Sequence, residues 1–68
     1  MAPTARQMGN TVRRIRLTKG LSQADIAKRC KLSREYINKI EAGKYDPPLS
    51  TINALAEALG VTARRLMG

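Results

Sequence analysis

Apolar residues recur along the chain at helical spacing, and short polar or glycine-bearing intervals break the pattern. Met8, Val12 and Ile15 fall three or four apart, and Lys19 extends that stripe through its aliphatic stem. Leu17 lies off the stripe. Gly20 suits a left-handed helix stop, so the spacing predicts helix 1 over residues 6–19, after a frayed tail of residues 1–5. "SQAD" then opens helix 2: Ser22 is a good N-cap, with Asp25 in the capping-box position. Ile26, Ala27 and Cys30 form its apolar side over residues 23–30. The interval "CKLS" has room only for a turn before Ser33 caps helix 3, residues 34–42, whose Ile37 and Ile40 face inward. Gly43 stops it, and "KYDPP" cannot continue a helix.

Leu49, Ile52, Leu55, Ala56 and Leu59 make the longest apolar stripe, ended by Gly60, and Thr62 caps a last short helix carrying Leu66 and Met67. No stretch alternates with a period of two, so no strand is expected. The fold class is therefore all-α, a compact bundle of five helices forming one domain over residues 6–68.

Sixty-eight residues can bury only a small core, which needs well-packed helices or an associating partner. No internal staple is on offer: one cysteine cannot pair within the chain, and no histidine can join it around zinc, so no metal or cofactor is expected. Cys30 reads as a small core hydrophobe. The apolar runs fall short of the roughly 20 residues that cross a bilayer, and "MAPTARQMGN" lacks the apolar stretch of a secretion signal. The expected location is the cytoplasm, at the nucleoid.

Charge changes the picture more than length does. Thirteen Lys and Arg against five Asp and Glu give +8, which implies an anionic partner, nucleic acid before a membrane surface. With two tyrosines as its entire aromatic content, the chain does not suit the single-strand modules that stack bases on aromatic platforms. Enzyme chemistry finds little to work with. There is no histidine, no paired-carboxylate geometry and no glycine-rich phosphate loop before a helix.

Two short helices joined by "CKLS" form a helix-turn-helix pattern. With Ile37 and Ile40 facing in, a turn of about 100° per residue puts Glu35, Asn38, Lys39 and Ala42 outward, and leaves Arg34 at the exposed N-terminal end. The outward side chains suit base edges in a major groove. Arg34 and Lys39 can donate to guanine, Asn38 can pair with adenine, and Glu35 can accept from cytosine. Glu35 and Lys39 are also an i,i+4 pair in the favourable order, which by itself explains both as solvated helix surface.

The stretch "LSQADIAKRCKLSREYINKIEAGKYDPPLSTINALAEALGVT" resembles the lambda-repressor-like, Xre-type helix-turn-helix domain of phage repressors and bacterial regulators. The likeness covers about residues 9–67 and matches several spaced elements in order: "LSQADIA", "LSREYINKIEAG", the proline after the loop, and "LAEALGVT". It implies a five-helix bundle that binds duplex operator DNA, usually as a homodimer. Carried over by position, it makes Arg34, Glu35, Asn38 and Lys39 base readers. Ser22, Gln23, Tyr36, Lys44 and Tyr45 become backbone contacts, with Gln23 also reaching the side chain that leads the recognition helix. It further implies an ion pair between Arg16 and Glu41, two charges that border apolar stripes.

The sequence departs from the family at two positions. Lys31 stands in the turn where members usually carry glycine, and Glu35 is acidic where many are neutral, which also suits it to repelling phosphate from unwanted registers. Arg13 and Arg14 point away from the helix 1 stripe and read equally as phosphate contacts or as solvated charge. Leu59, Val61, Leu66 and Met67 are candidates for a two-fold interface or, alternatively, for closing the monomer core. No small-molecule sensing segment is visible, so regulation is expected through abundance, dimerisation or a protein partner. The competing reading is a protein-interaction module of antitoxin or bridging-factor type, whose basic face serves an acidic protein.

Overall fold

Four of the five helices begin at a hydroxyl side chain that closes the first turn. In a computed structural model describing residues 3–68, the elements are α1 (Ala5–Thr18), α2 (Gln23–Cys30), α3 (Arg34–Glu41), α4 (Leu49–Leu59) and α5 (Ala63–Met67). The hydroxyls of Thr4, Ser22, Ser33 and Thr62 accept from backbone amides three residues on. At α1 and α2 the third helical residue, Gln7 or Asp25, returns a side-chain bond to the cap amide, completing a capping box. The Ser22 amide and hydroxyl hold the Asp25 carboxyl below its ordinary pKa. A depressed carboxyl contributes stability above its unfolded pKa and loses it as pH falls through the folded one, so this box weakens only on acidification.

Helices α1 to α4 also end alike. After each, one residue turns left-handed: Gly20 (φ 71°), Lys31 (φ 58°), Gly43 (φ 74°) and Gly60 (φ 69°). The next amide reaches back to the carbonyl five residues earlier: Leu21 to Arg16, Leu32 to Ala27, Lys44 to Lys39 and Val61 to Ala56. This Schellman closure is usually sealed by an apolar residue at the donating position. Leu21, Leu32 and Val61 do pack against the core. Lys44 does not; it is exposed.

The core is built from Met8, Val12 and Ile15 of α1, Ile26 and Ala27 of α2, Ile37 and Ile40 of α3, Ile52, Leu55, Ala56, Ala58 and Leu59 of α4, and Leu66 of α5. Helix α1 packs on α3, α4 and α5, while α2 lies between α3 and α4. Among the described residues, no helix is long and apolar enough to cross a membrane.

Several expectations are corrected. Helix 1 starts at Ala5, one residue before the expected Arg6, because Thr4 caps it; Met1 and Ala2 lie outside the described residues. Lys19 is not part of the buried stripe: it follows the last helical residue and is exposed, and Arg16 takes the buried place instead. Leu49, the first residue of α4, projects into solvent at 60% exposure. Ala42 caps α3 rather than extending it.

Lys31 carries the one left-handed φ among the described non-glycine residues. A side chain there costs about 1 kcal/mol, because Cβ crowds the following carbonyl. Lys31→Gly is expected to raise the melting temperature by roughly 4–8 °C, whereas Lys31→Ala, which removes the charge and keeps Cβ, should gain nothing comparable. Thermal unfolding of the two variants side by side separates backbone strain from charge.

Candidate nucleic-acid interface

The outward side of α3 is set by what its inward side buries. Ile37 and Ile40 are 0% and 1% exposed, which leaves Arg34, Glu35, Asn38 and Lys39 all exposed on the opposite surface. Among the described residues the one salt bridge is Arg16–Glu41, so the i,i+4 pair Glu35–Lys39 is not made. Lys39 instead places its ammonium 5.6 Å from the centre of the Tyr45 ring. Tyr45 in turn stands against Tyr36, ring centres 5.4 Å apart and tilted by 48°.

Behind this surface lies a rigid polar brace. Arg16 forks onto Glu41, with Nε donating to Oε2 at 2.7 Å and Nη2 to Oε1 at 2.9 Å; its remaining Nη1 donates to the Leu21 carbonyl at 2.9 Å. The Glu41 hydrogen bond raises the Arg16 pKa further. Gln23 Nε2 adds a third bond to Glu41 Oε1 at 3.2 Å. One carboxylate thus ties α1, α2 and α3 together, and every buried side-chain nitrogen or oxygen among the described residues has a partner.

This network corrects the expectation for Gln23. In the free protein its amide is engaged with Glu41, at the C-terminal end of α3, rather than with the side chain that leads the helix. Its position still opens toward the same surface. A shallow cleft of about 290 Å³ is lined by Arg13, Arg16, Gln23, Asn38, Glu41 and Ala42. Ser22, exposed, caps α2 beside it. The cleft also distinguishes two arginines that the sequence left equivalent, although both line another cleft with Asn10 and Leu17. Arg13 joins Gln23 and Asn38, whereas Arg14 lines a different cleft with Ile15, Val61 and Arg65. Arg13 lies three residues before Arg16, hence on nearly the same side of α1, and that spacing is the signal that could have singled it out.

The four apolar candidates for a two-fold interface divide as well. Leu59 and Leu66 are each 1% exposed and serve the chain's own core, so neither offers a surface to a second copy. Val61 is half-buried, and Met67 is exposed. Cys30, at the end of α2, is half-buried with Sγ 3.5 Å from the Ala54 carbonyl; burial pushes its thiol pKa up, away from reactivity.

A five-helix fold whose second and third helices carry this exposed polar surface defines a helix-turn-helix protein. The helix-turn-helix family profile matches residues 12–66, and the chain belongs to that family in its lambda-repressor-like, Xre-type form, a family of DNA-binding transcription regulators. The chain is 38% identical over 61 residues to the immunity repressor protein of Bacillus phage phi105, a match covering 90% of this chain and 42% of the repressor. It is 42% identical over 60 residues to control protein C.BamHI of Bacillus amyloliquefaciens, covering 87% and 74%. Its fold superposes on the crystal structure of the restriction-modification controller protein C.AhdI from Aeromonas hydrophila with a TM-score of 0.90, at 35% identity, over 93% of this chain and 96% of that one. The chain therefore spans less than half the length of the phage repressor it matches.

Proposed function

We propose that this chain is a sequence-specific regulator of transcription, a repressor, that binds a pseudo-palindromic duplex operator as a homodimer with α3 in the major groove. One observation carries the reading: Arg34, Glu35, Asn38 and Lys39 are all solvent-exposed on one surface of a helix tied to α1 and α2 by the Arg16–Glu41–Gln23 network. Four side chains of base-reading chemistry, on a rigid and slim helix, suit groove entry. The +8 charge supplies the sequence-independent attraction to phosphate. Arg13, Ser22 and Lys44 flank the helix as backbone contacts, with Gln23 freed from Glu41 or sharing its amide. Of the four apolar candidates, Val61 and Met67, beside the basic Arg64 and Arg65, are the two that keep surface for a two-fold contact. Such a protein works in the cytoplasm, on the nucleoid.

Base readers and backbone contacts respond differently to truncation. Arg34→Ala and Lys39→Ala are each expected to cost about 1–3 kcal/mol on the preferred site and to relax preference at one position per half-site. Lys44→Ala should weaken binding to every sequence alike and flatten the salt dependence by about 0.9 in log–log slope per phosphate lost. Fluorescence-anisotropy titrations on specific and random duplexes, at several salt concentrations, check both. Equal losses on both duplexes for all three variants would remove the base-reading assignment.

A further inference from the structure

We propose that Tyr45, in the loop after α3, is a positioning residue that holds Lys39 and thereby sets sequence preference at the base step Lys39 reads. The inference rests on the major-groove reading of α3 and goes beyond it, because it gives Tyr45 a role through another side chain rather than on the DNA backbone.

Lys39 has two anionic or electron-rich partners within reach. Glu35 lies one turn earlier on the same helix, in the order that favours an i,i+4 pair. The Tyr45 ring lies at the other end. The structure chooses the ring: the ammonium sits 5.6 Å from its centre, inside the roughly 6 Å range of a cation–π contact, and no salt bridge to Glu35 forms. A long, flexible lysine is thus swung toward the C-terminal end of α3, which leaves Glu35 free at the N-terminal end.

The ring is itself held from two sides. Gly43 turns left-handed, and the Lys44 amide closes onto the Lys39 carbonyl at 2.9 Å, which fixes where the next residue emerges. Tyr45 then rests on Tyr36, at a spacing and tilt typical of aromatic pairs. Helices α1, α2 and α4 seal the equivalent closure with a leucine or valine against the core, whereas α3 has exposed Lys44 there and turns to the tyrosine pair beside it. The departure occurs at the helix that carries the reading surface. It organises a side chain of that surface without adding to the core, since Tyr45 is 42% exposed.

A lysine reads a base as a point charge on a loose stem, and the restraint of that stem is what converts charge into preference. Loss of an exposed cation–π contact corresponds to about a two- to five-fold change. Tyr45→Ala should therefore lower the preference ratio two- to five-fold at the position that Lys39→Ala also relaxes, with an unchanged salt slope. Tyr45→Phe keeps the ring and should keep the preference. In a Lys39→Ala background, Tyr45→Ala should add nothing at that position.

The experiment is selection of the parent chain and these variants against a random duplex library. It is paired with proton NMR of the free proteins, in which the ring current moves the Lys39 ε-methylene upfield in the parent and in Tyr45→Phe. Three results would overturn the inference alone: a parent chain with clear preferences that Tyr45→Ala leaves intact, uniform weakening on all sequences with a flattened salt slope, or unshifted Lys39 methylene protons in the parent. A parent chain with no sequence preference at all would instead overturn the proposed function, and this inference with it.

Discussion

Glu41→Ala is expected to destabilise the fold by about 3–5 kcal/mol, the usual consequence of removing one partner of a buried ion pair. The Arg16 and Glu41 side chains are only 9% and 4% exposed, and the substitution strands the guanidinium between α1 and α3 with nothing but the Leu21 carbonyl. It also releases Gln23. A domain of this length has roughly 3–10 kcal/mol to lose in total, so the variant should be largely unfolded near 37 °C. Urea unfolding at neutral pH gives the value directly. The pair's role is separable from its cost. Replacing both partners, Arg16→Met with Glu41→Leu, should recover most of the lost stability because no charge stays buried without compensation. The double variant would still lack the anchor that fixes Gln23 and the end of α3, so its DNA selectivity should not recover with its stability.

Gly9→Ala should be harmful too, by a smaller margin, although alanine is the better helix former by about 1 kcal/mol. A Cβ at residue 9 would stand 2.3 Å from the Ile40 carbonyl oxygen and 2.8 Å from that of Glu41, both backbone atoms that no rotamer change can move. Helix α1 would have to back away from α3 at the point where Arg16 reaches Glu41. Overpacking of this kind costs about 1–3 kcal/mol, and here it also loosens the network that orients α3. The exposed neighbour Asn10 is the control: Asn10→Ala should change stability by no more than about 0.5 kcal/mol. Parallel thermal melts of the two variants test the close approach, and a neutral Gly9→Ala would mean that α1 and α3 are not held this tightly.

Gly9 also shows where sequence reading reaches its limit. In a helical stripe a glycine reads as a mild blemish, and nothing in periodicity reveals that another helix crosses against it. The helix order, the turns and nearly all the core were legible because each rests on local signals: hydroxyl caps, left-handed stops, and apolar residues three or four apart. Thr4 was legible on the same grounds, because Thr4 and Gln7 stand at capping-box spacing directly ahead of Met8, the first residue of the stripe. Lys19 was placed on the stripe by spacing, but α1 ends one residue earlier and leaves it outside. Leu59 and Leu66 were candidates for an interface because a sequence cannot say whether an apolar residue near a terminus faces its own core or a neighbour; α4 and α5 pack together and settle it for both.

The candidate interface divides in the same way. The exposure of Arg34, Glu35, Asn38 and Lys39 follows from two inward isoleucines, and so was readable. The direction each side chain takes was not. Lys39 lies on Tyr45 rather than Glu35, and Gln23 reaches Glu41, because partners contributed by a later loop or another helix outcompete the sequence-local ones. Arg13 and Arg14 are adjacent in sequence and share one cleft with Asn10 and Leu17, but only Arg13 also lines the cleft of Gln23 and Asn38 and only Arg14 that of Val61 and Arg65, a distinction made by where α3 and α5 sit around α1.

The central claim is that α3 reads a duplex sequence in a two-fold arrangement. Selection of the purified chain against a random duplex library at near-physiological salt tests it most directly. The account predicts enrichment of an inverted repeat whose half-sites lie about one helical turn apart, centre to centre. Retention of DNA only at low salt, with no sequence enriched, would contradict it and leave the basic surface as a site of non-specific attraction.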